Sequence, residues 1–176
     1  MFTLAALVIG LTLLIGVTFF SIRRPGYSQR RDTLSELGEW GAPGWRVVGW
    51  GLFLPVGLAL WALAAAMAGD PQLAPAVGLA ACLGIGYVGA ALFPCDPGSP
   101  LQGSWRQQLH NLAGAVEYVG GGACLYAAGG VFTGPAVLAL AGGVGLSVSA
   151  VRPVRGLLQR VIETLLFVSL AVLAAQ

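Results

Sequence analysis

Six apolar stretches with short breaks between them decide what this chain can fold into. They cover residues 2–21, 44–67, 73–93, 105–128, 131–151 and 154–175. Each is about 20 residues long, the length a helix needs to cross a hydrocarbon core of about 30 Å. Lipid offers no partner for backbone amides, so each stretch must satisfy its own as a helix. The chain is 57% hydrophobic and only 9% charged, against about 25% charged in soluble domains. That excludes an ordinary soluble protein. The 27 glycines fit the reading, since small residues let membrane helices approach closely. The expectation is an all-α membrane protein, one domain of 176 residues, formed as a compact bundle of six transmembrane helices in three hairpins.

The arginines set the direction. The chain has no lysine, and its nine basic residues are all arginines. Arg23, Arg24, Arg30, Arg31 and Arg46 flank or fill the first connection, Arg106 follows the third stretch, and Arg152, Arg155 and Arg160 surround the fifth connection. The second and fourth connections, "AGDPQLAP" and "GGVFTGP", have none. Arginine-rich short loops stay in the cytoplasm. This predicts an inner-membrane protein with both termini outside the cytoplasm. A signal peptide is not expected: no basic residue precedes the first stretch, and "SIRRPG" reads as a retained flank. The basic face should attract membrane lipids with anionic headgroups. Lipids are the expected partners and nucleic acid is not; a homo-oligomer stays open.

The odd-numbered connections carry the local signals. Thr33 and Glu36 have the spacing of a capping box, with Gly38 placed to stop the turn. A short helix over residues 33–38 should lie on the membrane surface, anchored by Leu34, Leu37 and Trp40. Trp45 and Trp50 mark the interface at the start of the second span. Pro94, Pro97 and Pro100 end the third span. Ser104 and Gln107 form a second capping box that starts the fourth span at Trp105.

Polar side chains then enter the apolar spans. From Ser104, His110 lies roughly 9 Å and Glu117 roughly 20 Å along the helix, on one face with Gly114 between them. In the sixth span Gly156, Gln159, Arg160 and Glu163 recur at helical spacing. Arg160 should reach a depth similar to that of His110. An ionised side chain at mid-bilayer costs about 2.5–3.5 kcal/mol on insertion scales, so these groups are expected to face inward and pair. The predicted cluster comprises Asp96, His110, Glu117, Gln159, Arg160 and Glu163, with Ser35 and Glu36 reaching in from the first connection. A structural network stays open beside a functional one, since Arg160 and Glu163 could satisfy each other at i,i+3.

Three functions compete for such a cluster. The leading one is a cytoplasm-facing pocket for a lipid or small amphiphile, with Arg160 and His110 offered to an acidic headgroup. An intramembrane lipid-modifying enzyme would use His110 as acid/base, oriented by Asp96. Proton-coupled transport would run through Glu117 and Glu163. Ser35, His110 and Asp96 are the residue types of a nucleophilic triad, yet no Gly-x-Ser-x-Gly elbow accompanies them. The balance favours a binder over an enzyme. A single histidine argues against zinc, phosphate and dinucleotide motifs are lacking, and neither metal nor cofactor is expected. Cys82, Cys95 and Cys124 read as isolated buried thiols.

Four motifs, "YSQRRDTLSELG", "LFPCDPG", the histidine six residues into the fourth span, and "GLLQR", together resemble the bacterial and archaeal membrane-protein family catalogued as domain of unknown function 998. The resemblance covers most of the chain. It implies a compact multi-helix membrane domain and makes Ser35, Glu36, Asp96, His110 and Arg160 the positions that match the family's motifs. It implies no activity. Glu117 and Glu163 lie outside the motifs and rest on their depth alone.

Overall fold

The computed structural model of the chain describes the backbone of residues 1–176 and every side chain except those of Ser149 and Ala150. The described residues form helices and no strand. Helix α1 is Phe2–Arg23, the one-turn α2 is Leu34–Leu37, and α3 is Trp45–Met67. Helix α4 is Pro71–Leu92, α5 spans residues 105–128, α6 is Gly130–Leu146 and α7 is Val151–Leu173. Two helices contain a wide π-helical turn, Gly49–Phe53 in α3 and Val116–Gly120 in α5.

Four helices, α1, α3, α4 and α7, are long and apolar enough to cross a membrane. The two other apolar stretches are helical as well but differ in character. Helix α5 opens on Arg106, Gln107, Gln108, His110 and Asn111, which make its first half polar. Helix α6 is apolar but shorter. Between α5 and α6 the chain reverses on Gly129 and Gly130, at φ +68° and +53°. A β-carbon disfavours that left-handed region, so the glycines permit the tight turn.

Chain order becomes spatial order. Helix α1 packs on α3, α3 on α4, α4 on α5, α5 on α6 and α6 on α7. Helix α7 returns to α1, and α4 also touches α7 inside the ring. The shared core is aliphatic, with Leu60, Leu79, Leu83, Leu125, Leu166 and Leu170 inaccessible to solvent.

The three arginine-bearing connections are tied together at one end of the bundle. Thr33 caps α2 as a full capping box, its side chain accepting from the Glu36 amide while the Glu36 carboxylate accepts from the Thr33 amide. Leu34 and Leu37, however, do not anchor in lipid. They are 5% and 1% exposed, turned down into the protein core because the first connection folds over the bundle end. Trp40 stays exposed, with the Arg106 guanidinium 4.2 Å from its ring centre. Ser104 caps α5, but the reciprocal half of its box does not form. Gln107 Oε1 instead accepts from the Asp96 amide at 2.6 Å, because the loop folds back over the helix start.

The first connection docks on the amino end of α7. Gly156 N–H donates to Arg31 O at 3.2 Å and Leu157 N–H to Arg30 O at 2.9 Å. These are donors that a helix start leaves without intrahelical partners. The contact needs bare backbone, since a β-carbon on Gly156 would stand 2.2 Å from Asp32 O and 2.6 Å from Gln29 O. Gly156→Ala should therefore cost about 1–3 kcal/mol through overpacking, although alanine is the better helix former. Unfolding in detergent followed by circular dichroism checks it; an unchanged midpoint would contradict this docking.

Candidate functional site

Where α5 comes opposite α7, a polar chain runs inward from the docked connection. The Leu34 amide donates to Gln159 Oε1 at 2.7 Å, and Gln159 Nε2 donates to the Tyr118 hydroxyl at 2.9 Å. Tyr118 donates to Glu163 Oε1 at 2.7 Å, and Tyr87 of α4 donates to Glu163 Oε2 at 2.7 Å. Every side chain in this series is buried. Glu117, the residue before Tyr118, is buried beside it. Gly86 of α4 gives Glu117 its space, for a β-carbon there would fall 2.1 Å from Glu117 Oε2. Glu117 and Tyr118 are neighbours in sequence, and both lie inside where α5 widens into its π turn. Such turns recur at functional sites.

A cleft of about 650 Å³ reaches this chain. Gly86 and Ala90 of α4, His110, Gly114, Glu117 and Tyr118 of α5, and Gln159 of α7 line its inner part. Ser35, Ser99, Arg152 and Arg155 line it towards the arginine-bearing end. Leu112, Val119 and Val144 form an apolar flank and are themselves 61%, 53% and 67% exposed.

The predicted cluster divides into two groups. Ser35, His110, Glu117 and Gln159 line the cleft, and Glu163 stands behind Glu117 and Tyr118. Glu36, Asp96 and Arg160 instead brace the connections. Arg160 does not pair with Glu163 or reach His110. Its guanidinium donates to Gln29 O at 2.7 Å, to Asp32 O at 3.0 Å and to the Tyr27 hydroxyl at 2.8 Å. The carbonyl-rich docking loop offers it several acceptors at once. Burial pushes the Tyr27 phenol up to about 12 against the pull of Arg160. It stays a neutral hydroxyl that accepts from the guanidinium and donates to Thr33 O at 2.8 Å. Glu36 accepts from Arg155 at 3.1 Å, and Arg155 also donates to Gly98 O at 2.8 Å.

Asp96 is occupied as well. Its Oδ2 accepts from the Ser104 amide at 2.7 Å, and its Oδ1 accepts from the Ser104 hydroxyl and from Arg106, both at 2.8 Å. Those bonds, the Ser104 amide first, hold its carboxyl below the usual aspartate range. It does not orient His110, whose Nδ1 lies 3.0 Å from Phe93 O. Ser35 and His110 share the cleft, but the triad's acid is elsewhere. The cysteines are not all buried either: Cys95 is, but Cys82 and Cys124 are only half-buried.

Sequence reasoning missed Tyr87 and Tyr118, which supply both donors to Glu163. The available signal was a phenol inside an apolar stretch, since a buried hydroxyl needs a partner. The structure also explains why the four sequence motifs occur together. "YSQRRDTLSELG" docks on "GLLQR", "LFPCDPG" joins the first through the Cys95 thiol to Ser35 O at 3.4 Å, and the histidine meets Phe93 O of that same motif.

A family model described as "Protein of unknown function (DUF998)" matches residues 7–176. No curated protein and no solved structure matches the chain.

The Asp96 geometry has a pH signature. A carboxyl held low in the fold adds stability that is present above the unfolded aspartate value of about 3.9. That stability is lost as pH falls through the lower folded value. Acid titration of thermal stability should therefore show a decline at the acidic end that is smaller in Asp96→Asn. Parallel curves for the two proteins would refute the assignment.

Proposed function

The chain belongs to the family of proteins of unknown function DUF998, a description that names no activity, and we propose its function from its own geometry. The cleft takes up a lipid or another small amphiphile from the cytoplasmic leaflet of the inner membrane. The protein crosses that membrane six times, with both termini outside the cytoplasm. One observation carries this reading: a single cleft joins an exposed apolar flank of Leu112, Val119 and Val144 to a polar interior and to arginines. An amphiphile needs those surfaces together, and an interior that only holds helices in register would need no access.

The headgroup's cations are not those the sequence pointed to. Arg160 is engaged by the docking loop, so Arg152 and Arg155 are the arginines that face the cleft. Arg155 already bonds Glu36 and Gly98, which leaves the exposed Arg152 as the principal contact for an anionic headgroup. The six-span topology is supported by all nine arginines falling at one end of the bundle. The polar start of α5 then lies at the cytoplasmic surface, where water satisfies it.

Two measurements test these statements. Thermal stability in nanodiscs should be higher with phosphatidylglycerol than with phosphatidylcholine of the same acyl chains, and Arg152→Ala should remove the difference. If no lipid class alters stability, the binding reading fails. A periplasm-dependent reporter enzyme fused after Gln176 should be active, and a fluorescent protein there should stay dark. A bright fluorescent fusion would reverse the topology.

A further inference from the structure

The Glu117–Glu163 pair stands out chemically from everything around it. Two carboxyls, from α5 and α7, are buried close together, Glu163 being bonded by Tyr118, the residue after Glu117, and none of the described ion pairs includes either one. Two neighbouring negative charges in a low-dielectric interior cannot both persist without a balancing positive charge. The arginine and the histidine of the same stripes are engaged elsewhere, Arg160 with the docking loop and His110 with Phe93 O. The positive charge must come as a proton or from outside the chain.

The two acids are not equivalent. Glu163 has a hydroxyl donor on each oxygen, from Tyr118 and from Tyr87. Its acceptor positions are filled by fixed groups, and Gln159 holds Tyr118 in turn. Glu117 is only 6% exposed, yet its Oε1 has no hydrogen-bond partner among the described residues. Leaving a buried acceptor unmatched costs about 1–3 kcal/mol, more when the group is charged. A proton on one of the two acids supplies both a charge balance and an O–H donor, and a cation entering from the cleft is the other source. Glu117 also lines the cleft, whereas Glu163 lies behind it. The unmatched acceptor therefore belongs to the acid that a ligand can reach.

We propose that Glu117 is the recognition group for a primary ammonium carried by the amphiphile that occupies the cleft. An ammonium brings both missing elements, a positive charge for the carboxyl pair and N–H donors for the Glu117 carboxylate. Glu163, held by its two tyrosines, keeps the second negative charge in place behind the first. Gly86 leaves room for the Glu117 carboxylate, and the open backbone at Gly114, where a β-carbon would meet nothing within 4 Å, leaves room for the incoming group. The apolar flank takes the chain. A quaternary ammonium has the charge but no N–H, and an alcohol has a donor but no charge, so the site distinguishes both from a primary amine.

This inference rests on the amphiphile reading, and one titration series separates the two. The full chain in nonionic detergent is titrated with decylamine, decyltrimethylammonium and decanol, with tryptophan fluorescence reporting binding. Decylamine should bind about tenfold tighter than either of the others, the effect of one charge-assisted hydrogen bond. Glu117→Gln should abolish the preference, so that decylamine binds no tighter than decyltrimethylammonium. If decanol binds and decylamine is no tighter than decyltrimethylammonium in the wild-type chain, the ammonium site is refuted and the amphiphile reading stands. That comparison needs no variant, so a Glu117→Gln chain that fails to fold does not rescue the proposal. If none of the three binds, both readings fall together.

Discussion

Gln159 joins parts of the chain that are far apart in sequence. Its amide oxygen accepts from Leu34 in the first connection, and its amide nitrogen donates to Tyr118 in α5. One side chain thus links the docked loop at the bundle end to the buried carboxyls deeper in. Both amide functions are used at once, and the residue is 7% exposed, so water cannot replace either partner easily. In a low-dielectric interior a half-satisfied polar network is worse than none. The arrangement is therefore stable only if the loop docks, α7 presents Gln159, and α5 presents Tyr118 in the same register. That condition sets where the cleft lies and which acid faces it.

The same condition explains a division of labour among the charges. Charged side chains near the connections are consumed in holding those connections: Arg24 with Glu39, Arg106 with Asp96, Arg155 with Glu36, and Arg160 with three oxygens of the docking loop. These contacts are partly buried rather than exposed, and most are reinforced by backbone carbonyls. Deeper in, Glu163 is held by two hydroxyls, one of which takes a bond from the Gln159 amide. The chain thus separates a cross-braced surface from an acidic interior, and the cleft is the route between them.

Much of this could be read beforehand, because the signals were local. Apolar length gave the helices, proline and glycine gave their breaks, and Thr33 with Glu36 gave the α2 cap. Inward-facing Glu117 and Glu163 followed from the cost of placing a carboxylate in lipid. The direction taken by long side chains could not be read. Arg160 lies at the right depth for the cluster, but its flexible guanidinium found carbonyls from Gln29 and Asp32, residues separated from it by most of the chain. Asp96 was drawn into capping by a loop that doubles back, and Gln107 went with it. The π turn in α5 leaves no composition signal. Tyr87 and Tyr118 looked like apolar bulk, and only the geometry exposes their hydroxyls as the donors that hold Glu163.

The closure of α1 onto α7 has a consequence for how the site comes into being. The Thr3 hydroxyl donates to Ala174 O at 3.2 Å, and α1 borders α7 along the bundle. A ribosome delivers α1 long before α7, so the seam between them stays unmade until synthesis of this region is nearly finished. Gln159 and Glu163 arrive on that same late helix. Until then Glu117 and the first connection are without the partners that α7 brings.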